Sequence, residues 1–371
     1  MFSFAKIQSS AKRLQGVAKR WSSSQASTAS VLRDRRLAGR RRFYKNVDIQ
    51  ALTQVPWKAT NNNETVKSVQ SPISAGVDGT DSASGVHRPK STSIDSLRHY
   101  LTPRKPYIST PTAAGSELSK KDEDINWYGI TLDGRLIQTP MGQTLMVPSA
   151  LWAAQIAAEW DSVESVLQPT QMPCMTLTCT VLDQTASHPE VYQDQVTRFV
   201  PTDTICYWAD PSEDRVLHQQ QEEAWRKIHD RVEQVTGVPL ATVSGGQEGI
   251  MTAARGLPHN PVLVDYANDF CSQLDAWHLT AIQTLAVEAK SFWLAWALLT
   301  QHYSANDEDD DLPIVFKEVA DAVHASRVEE EFQIGIWGMV EGQHDYDRLN
   351  TSINVSAALL LVNSLATDCK L

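Results

Sequence analysis

Apolar residues alternate with polar or small ones over residues 126–147, a pattern typical of a half-buried β-sheet. Tyr128, Ile130 and Leu132 occupy alternate positions, and the Asp-Gly pair that follows them favours a two-residue hairpin turn. The chain then returns as a second strand and continues into a third. The strands predicted along the whole chain are 43–50, 128–132, 136–139, 144–147 and 204–208.

From residue 148 onward, apolar residues recur mainly at three- and four-residue steps, which is the spacing of amphipathic helices. Pro148-Ser149 predicts the start of one helix and Asn260-Pro261 the start of another, because such pairs are typical of helix caps and first turns. Residues 280–301 are apolar on all sides, so this helix is predicted to be central. Further helices are predicted at 175–182, 211–237, from Pro313 onward, and at 349–365.

These elements predict an α+β fold, with a small N-terminal β-rich α/β domain followed by an all-helical C-terminal domain. We place the first domain at 126–212, with a strand from 43–50, and the second at 213–371. Residues 58–124 are rich in Ser, Thr, Asn, Pro and Gly and poor in apolar residues. Such a composition predicts a disordered insertion, because little apolar surface is available to offset the entropy of ordering.

One segment, 327–345, combines helical apolar spacing with many acidic residues. Phe332, Ile336 and Val340 are four residues apart, which predicts a single helix. Side chains at three- and four-residue steps share neighbouring rows of a helix, so the polar members form one surface. That surface is either a solvated face or a binding face. Its members are Glu330, Gln333, Trp337, Glu341, His344 and Asp345.

The charge of the chain is unevenly distributed. Residues 1–42 contain eleven Lys or Arg and one acidic residue, whereas the remainder contains 22 basic and 43 acidic residues. The basic start is amphipathic and rich in Ser, as in a mitochondrial transit peptide; a nucleic-acid-binding arm or a disordered basic tail are the alternatives. The acidic body is a poor candidate for binding nucleic acid, which requires clustered cations.

The sequence offers little for catalysis or membrane insertion. There is no run of 18 apolar residues, so we expect no membrane span. Five cysteines without a Cys-x-x-Cys spacing fit a reducing compartment. No Gly-x-Ser-x-Gly elbow is present, and the Gly-rich stretch 244–249 lacks the lysine of a phosphate-binding loop. We therefore expect no cofactor.

A metal site is the main alternative. Glu341-x-x-His344 has the spacing used by di-iron helical bundles, which need two such helices and two further glutamates. The other acid–histidine pairs at this spacing, Asp275 with His278 and Asp321 with His324, supply aspartates instead. The sequence thus contains one half-site, and a metal-dependent helical-bundle enzyme using Glu341 and His344 remains the second hypothesis.

The acidic segment also carries a resemblance. Its pattern Glu-Glu-x-Phe-Gln-x-x-x-Trp-Gly-x-Val-Glu-x-x-His-Asp is similar to the signature of the mitochondrial ATP synthase α-subunit assembly chaperone family. Other matches follow in the order of that family, although its pattern runs almost directly from Phe43 to Tyr128 and so lacks the insertion. They are Arg41–Val47, Leu132-Asp-Gly-Arg135 with Thr139-Pro140, Glu159-Trp-Asp161, Gln171-Met-Pro173 and Lys290-Ser291.

The resemblance implies a non-enzymatic chaperone of the mitochondrial matrix that is a monomer when free. It would bind the unassembled α subunit of the ATP synthase catalytic head and cover the surface that faces the β subunit. The helical domain would then be the client-binding one. The partner-binding residues expected from the resemblance are Glu330, Gln333, Trp337, Glu341, His344, Asp345, Glu288 and Lys290. Some of these could instead hold the helices together, and a general matrix scaffold with another client is a third hypothesis.

Overall fold

The computed structural model describes residues 39–52, 99–106, 108, 126–244, 255–304 and 314–368. The predicted α+β fold is confirmed: short strands lie in the N-terminal part, and helices dominate the rest. The predicted division at residue 212 stays a prediction. The two parts are in contact, since the Ser149 hydroxyl lies 3.4 Å from the Ser364 carbonyl of the last helix.

The main sheet has four antiparallel strands, and the strand Trp127–Leu132 is the central one. Strand β2 pairs on one side with β1 and on the other with both β3 and β4. The turn after β2 uses Asp133 at φ 49° and Gly134 at φ 78°, as the Asp-Gly pair predicted. The strands are β1 (Val47–Leu52), β2 (Trp127–Leu132), β3 (Arg135–Leu136), β4 (Met146–Val147), β5 (Tyr207–Trp208) and β6 (Val243–Ser244).

Two strand predictions need correction. The first strand begins at Val47 and not at residue 43. The Lys45 and Asn46 amides bond to the Asp133 carboxylate, and residues 39–42 pair with 165–167. The predicted strand 204–208 is mostly a 3₁₀ turn, Thr204–Cys206, and only Tyr207–Trp208 is extended. The buried Asp203 causes this turn, since its carboxylate accepts a hydrogen bond from the Ile205 amide at 3.3 Å.

Ten α-helices follow in the part of the chain from 150 to 368 that the structure describes. The predicted caps are present: the Ser149 hydroxyl accepts from the Trp152 amide, and the Asn260 side chain from the Val262 amide. The helices are α1 (Ala150–Asp161), α2 (Pro173–Thr180), α3 (Pro189–Thr197), α4 (Arg215–Thr236), α5 (Pro261–Gln273), α6 (Ala276–Ala289), α7 (Phe292–Ser304), α8 (Val319–Ser326), α9 (Val328–Trp337) and α10 (His344–Asp368).

Helices α6 and α7 lie at the centre of the fold. Almost every residue of both is buried, including Trp277, Trp293 and Trp296, so the prediction that 280–301 is central is confirmed. Helix α10 packs along α6 and also reaches α1 and α2. By length and composition α10 could cross a membrane, but half of its apolar window is buried in the protein, and core helices pass the same test.

Two further expectations differ from the structure. The helix expected from Pro313 begins at Val319, where Glu318 and Asp321 form a capping box; Pro313 itself lies outside the described residues. Residues 99–106 and Ile108 fall in the predicted disordered insertion, yet Leu101 and Ile108 are buried against the helices. The rest of 58–124, and residues 1–38 of the predicted transit peptide, lie outside the described residues.

Candidate functional site

The acidic segment 327–345 is two helices and a turn, so the prediction of a single helix is wrong. Helix α9 ends at Trp337, since Gly338 takes φ 86°, and α10 begins only at His344. A left-handed glycine stops a helix because its successors cannot continue the hydrogen-bond ladder. We call residues 328–349 the arm. It contains α9, the turn and the first turns of α10.

The tip of the arm exposes an unusual number of large apolar side chains. Trp337 is 76% exposed, and its neighbours are more than half exposed. Single exposed apolar residues are ordinary, but a contiguous group of this size marks an interaction site. The group, which we call the apolar tip, consists of Ile336, Trp337, Met339, Val340, Tyr346 and Leu349.

A groove of about 360 Å³ lies beside the apolar tip, between α9 and the start of α10. Its walls carry Ile334, Met339 and Leu349, and its rim carries charged residues of both signs. Arg348 spans the two helices, with its Nε 3.6 Å from the Glu331 carboxylate. The groove is therefore lined by both apolar and charged side chains, as recognition grooves usually are.

Besides Trp337, four predicted site residues lie on this part of the arm. Gln333, Glu341 and Asp345 are exposed. His344 is half-buried, and its Nδ1 accepts a hydrogen bond from the Val340 amide at 3.1 Å, which fixes the turn. Neither Glu341 nor Asp345 makes an ion pair with any residue that the structure describes. Their charge is thus available to a partner.

Glu330 has a different role. Its carboxylate forms an ion pair with Arg327, whose side chain is 8% exposed and also approaches Glu331 at 4.0 Å. A nearly buried guanidinium needs such a partner, since leaving it unpaired is costly. The structure therefore places Glu330 in the packing at the start of α9 and away from the apolar tip.

Glu288 and Lys290 lie at the base of the arm. Glu288 accepts a hydrogen bond from the Asn354 side chain of α10 at 2.7 Å. Lys290 ends α6 in a left-handed conformation, φ 55°, and its charge acts on Glu329 at the start of α9. Glu288 therefore holds α10 against α6 and supports the apolar tip without forming it. Lys290 is exposed and lies near the start of α9, outside the apolar tip.

The sequence did not single out Glu329 and Gln221, which complete this base. The Gln221 amide, fully buried, donates to Glu329 at 3.1 Å and accepts from the Ala209 amide at 2.7 Å. Burial raises the pKa of Glu329, and the Lys290 charge and the Gln221 hydrogen bond act against this shift. A glutamine on the apolar stripe of α4 was the available signal, because a buried amide needs polar partners.

Two other family-like motifs are structural. Arg42 donates to the carbonyls of Asp161 at 2.8 Å and Val163 at 2.7 Å, and pairs with the Asp161 carboxylate at 3.2 Å. Tyr44 donates its hydroxyl hydrogen to the Trp160 carbonyl at 2.6 Å. The motifs Arg41–Val47 and Glu159–Asp161 thus hold residues 41–47 against the end of α1. We call these contacts the clasp.

The described residues give the metal hypothesis little support. Glu341 lies in the turn before α10, so it and His344 do not share a helical face as the di-iron spacing requires. Asp275 caps α6 and bonds the ring of His278 at 2.7 Å, which in turn contacts the Tyr303 hydroxyl. Among the described residues, no three His, Cys, Asp or Glu side chains are grouped as metal ligands would be.

The described cysteines are not activated for chemistry. Cys174, Cys179, Cys206 and Cys271 are buried and form no disulfide. Burial raises the pKa of the Cys271 thiol to about 12 and that of Cys206 well above its usual value. A nucleophilic cysteine needs the opposite shift, because the thiolate is the reactive form.

Comparisons with known proteins agree with one another. A family described as ATP12 chaperone protein matches residues 114–233. Protein ATP12, mitochondrial, of Saccharomyces cerevisiae is 24% identical over 266 residues, which are 65% of this chain and 80% of that protein. These matches confirm the family resemblance seen in the sequence motifs.

Solved structures confirm the fold. Atp12 from Paracoccus denitrificans has a TM-score of 0.54 at 23% identity and covers 64% of this chain and 91% of its own. The Atu1473 protein of Agrobacterium tumefaciens has a TM-score of 0.52 at 22% identity, covering 73% of this chain and 97% of its own.

Proposed function

We propose that this relative of the ATP12 chaperones is a mitochondrial assembly chaperone for the ATP synthase, and that its client is the unassembled α subunit. The family match and the mitochondrial yeast relative support the chaperone role. The acid-poor, basic sequence of 1–42 supports import into the matrix. On this proposal the arm covers the surface of α that the β subunit later occupies.

The apolar tip is the observation that carries the proposal. Six large apolar side chains stand exposed on one short projection, with Trp337 the most exposed. Aromatic anchors at the centre of an interface provide most of the binding energy, and surrounding polar residues exclude water and set orientation. An unassembled subunit exposes a complementary apolar surface, which aggregates unless it is covered.

The charges near the tip fit a client surface that carries cations. The arm contains six carboxylates against Arg348 alone, and Arg327 adds one cation at its start. The carboxylates at the tip, Glu341 and Asp345, are without an ion pair in the described part of the chain. Complementary charge raises the rate of encounter and selects partners, although it adds less to affinity than apolar burial.

Capping of this kind is a binding function and requires no catalysis. The chaperone occupies α until β binds the same surface more favourably, so competition alone releases the client. The alternative, a metal-dependent enzyme using Glu341 and His344, is not favoured because the two residues lie in a turn and at a helix start. Among the described residues, the Cys206 and Cys271 thiols are buried and their pKa values are raised, so neither favours nucleophilic chemistry.

The test compares matched methionines. Met339 lies in the apolar tip and Met141 in a loop beside the sheet, and both are exposed. Met339→Ser and Trp337→Ala should weaken capture of purified, unassembled α subunit, the tryptophan variant by tenfold or more, as for loss of about 2 kcal/mol at an interface anchor. Met141→Ser should leave capture unchanged, and none of the three should shift the melting temperature.

The outcomes separate the parts of the proposal. If the unaltered chain captures no α subunit, the client is wrong. If it captures α and the tip variants do so equally well, the client is right and the arm is not the binding surface. Addition of β subunit should displace the chaperone from α; a stable complex of all three would contradict shielding of the β-facing surface.

A further inference from the structure

Residues 99–106 and 108, which we call the strap, cross the helical part of the protein although they belong to a segment of insertion-like composition. Three side chains of the helices bond to its main chain. Trp277 Nε1 donates to the Leu101 carbonyl at 2.9 Å, and the Tyr266 hydroxyl donates to the Ile108 carbonyl at 2.6 Å. The Arg104 amide donates to Asp275 at 2.8 Å.

The strap also buries apolar side chains between these contacts. Leu101 is 3% exposed, Ile108 is 8% exposed, and Pro106 is buried. The intervening sequence, Pro103-Arg-Lys-Pro106, has the Pro-x-x-Pro spacing that favours an extended polyproline conformation. Recognition of main-chain atoms by aromatic and acidic side chains, with apolar pockets at intervals, is how proteins bind extended peptides.

The contacts that face the strap are fixed by the helices themselves. Asp275 caps α6 through the Trp277 and His278 amides at 2.9 and 3.0 Å. The Tyr266 hydroxyl accepts from Trp296 Nε1 at 3.2 Å, and the Tyr266 ring stacks on Trp293. None of these interactions involves the strap, so the recognising groups are held in place without it. A preorganised surface binds a peptide with less entropic cost.

We propose that Tyr266, Asp275 and Trp277 form a peptide-binding groove for segments with a Pro-x-x-Pro core between two apolar residues. The strap is its ligand in the same chain. Tethering gives the strap a high effective concentration, so a free peptide binds only when the strap is removed or weakened. This site is separate from the arm in sequence and does not depend on the client proposed above.

The experiment replaces residues 99–108 in the full chain by a Gly-Ser linker of equal length and adds a synthetic peptide of residues 99–108. The linker variant should melt at a lower temperature, because Trp277 Nε1 and the Tyr266 hydroxyl lose acceptors. The peptide should bind saturably and raise the melting temperature toward that of the unaltered chain. The unaltered chain should bind the peptide at least tenfold more weakly, since its groove is occupied.

Two control peptides sharpen the test. One has the composition of the strap in scrambled order, and the other carries alanine at Pro103 and Pro106. Both should bind more weakly than the native peptide by tenfold or more. Equal binding by the scrambled peptide overturns the groove, and equal binding by the alanine peptide overturns its Pro-x-x-Pro preference. A linker variant with an unchanged melting temperature and no peptide binding overturns the proposal entirely.

A point variant covers the case in which the linker variant does not fold. Ile108→Asp places a charge in the buried end of the strap and should release it from the groove. Fluorescence anisotropy with labelled native peptide should then show binding to Ile108→Asp and at least tenfold weaker binding to the unaltered chain. Equal or absent binding to both would contradict a groove that the strap occupies.

Discussion

Glu159 provides a sharp test of the structural role of the Glu-Trp-Asp motif. Its carboxylate, on α1, accepts hydrogen bonds from the Cys174 amide at 2.6 Å and the Met175 amide at 2.8 Å. These amides belong to the first turn of α2, where helix donors have no partner within the helix. Met172, the residue before α2, offers no capping side chain. Glu159 is therefore the cap of a helix that follows it by fourteen residues.

The expected cost of Glu159→Ala follows from these two bonds. A hydrogen bond to a charged group contributes about 1.5–3 kcal/mol, so both together set an upper limit of about 6 kcal/mol. Burial raises the pKa of Glu159, which shows that the ionised carboxylate is itself partly disfavoured. Replacing Glu159 by alanine removes this cost of burying the ionised carboxylate. We therefore expect a loss of about 3 kcal/mol in the free energy of unfolding.

Urea denaturation of Glu159→Ala, beside Glu190→Ala as control, measures this cost. Glu190 is also near a helix start, in the first turn of α3, but it is exposed. Its removal should cost less than about 1 kcal/mol, the usual effect of an exposed charge on a helix dipole. Glu159→Gln should fall between the two because it keeps one acceptor. Equal losses for the two alanine variants would refute the capping role.

Three more outcomes follow from the geometry. Burial raises the pKa of Asp203 to about 6, so the folded chain binds more protons than the unfolded chain. Its stability relative to Asp203→Asn should therefore fall by about 2 kcal/mol from pH 4 to 7, and a flat difference in urea titrations would contradict this. Arg42→Met should lower the free energy of unfolding by more than about 2 kcal/mol, whereas Arg135→Met, at an exposed site, should lower it by less than about 0.5 kcal/mol. Urea denaturation measures both, and equal losses would argue against the clasp. Glu330→Lys should lower the melting temperature, whereas Glu341→Lys should weaken α-subunit capture and leave the melting temperature unchanged. A lower melting temperature for Glu341→Lys, with weaker capture by a stable Glu330→Lys, would show that the two roles are exchanged.

The elements with strong local signals were predictable from the sequence. The Asp-Gly turn after β2 requires positive φ at both residues, which few other pairs tolerate, and it forms as expected. The cap at Asn260 and the central position of α6 and α7 also follow from local rules. In each case the deciding interaction lies within a few residues or depends only on average apolar content.

The errors arose where distant contacts or one glycine decide the structure. Phe332, Ile336 and Val340 keep a helical spacing across Gly338, so periodicity alone predicts no break. The strap has too few apolar residues to order itself, and it is held by side chains more than 150 positions away. Composition does not encode such partners, because the recognising residues lie in another part of the chain.

The structure groups only some of the predicted site residues, for the same reason. Gln333, Trp337, Glu341, His344 and Asp345 lie on the arm, although on two helices and a turn. Glu330 and Glu288 are also carboxylates, but they pair with Arg327 and Asn354 inside the protein. A pattern of acidic residues cannot separate binding from support, because both roles use carboxylates and differ only in what each one touches.

The tip and the base of the arm use different kinds of residue, for a physical reason. The exposed apolar tip is not stabilised by packing in the protein core, so its position depends on interactions at the base of the arm. Those anchors are polar and specific: Glu288 bonds α10, the Gln221 amide bonds Glu329 on α9, and Arg327 pairs with Glu330. On the proposed function, these anchors hold the two helices in one relative position and so keep the groove between them accessible. Loss of an anchor should therefore weaken client binding through misplacement of the tip, while loss of Trp337 should weaken it directly and leave the arm in place.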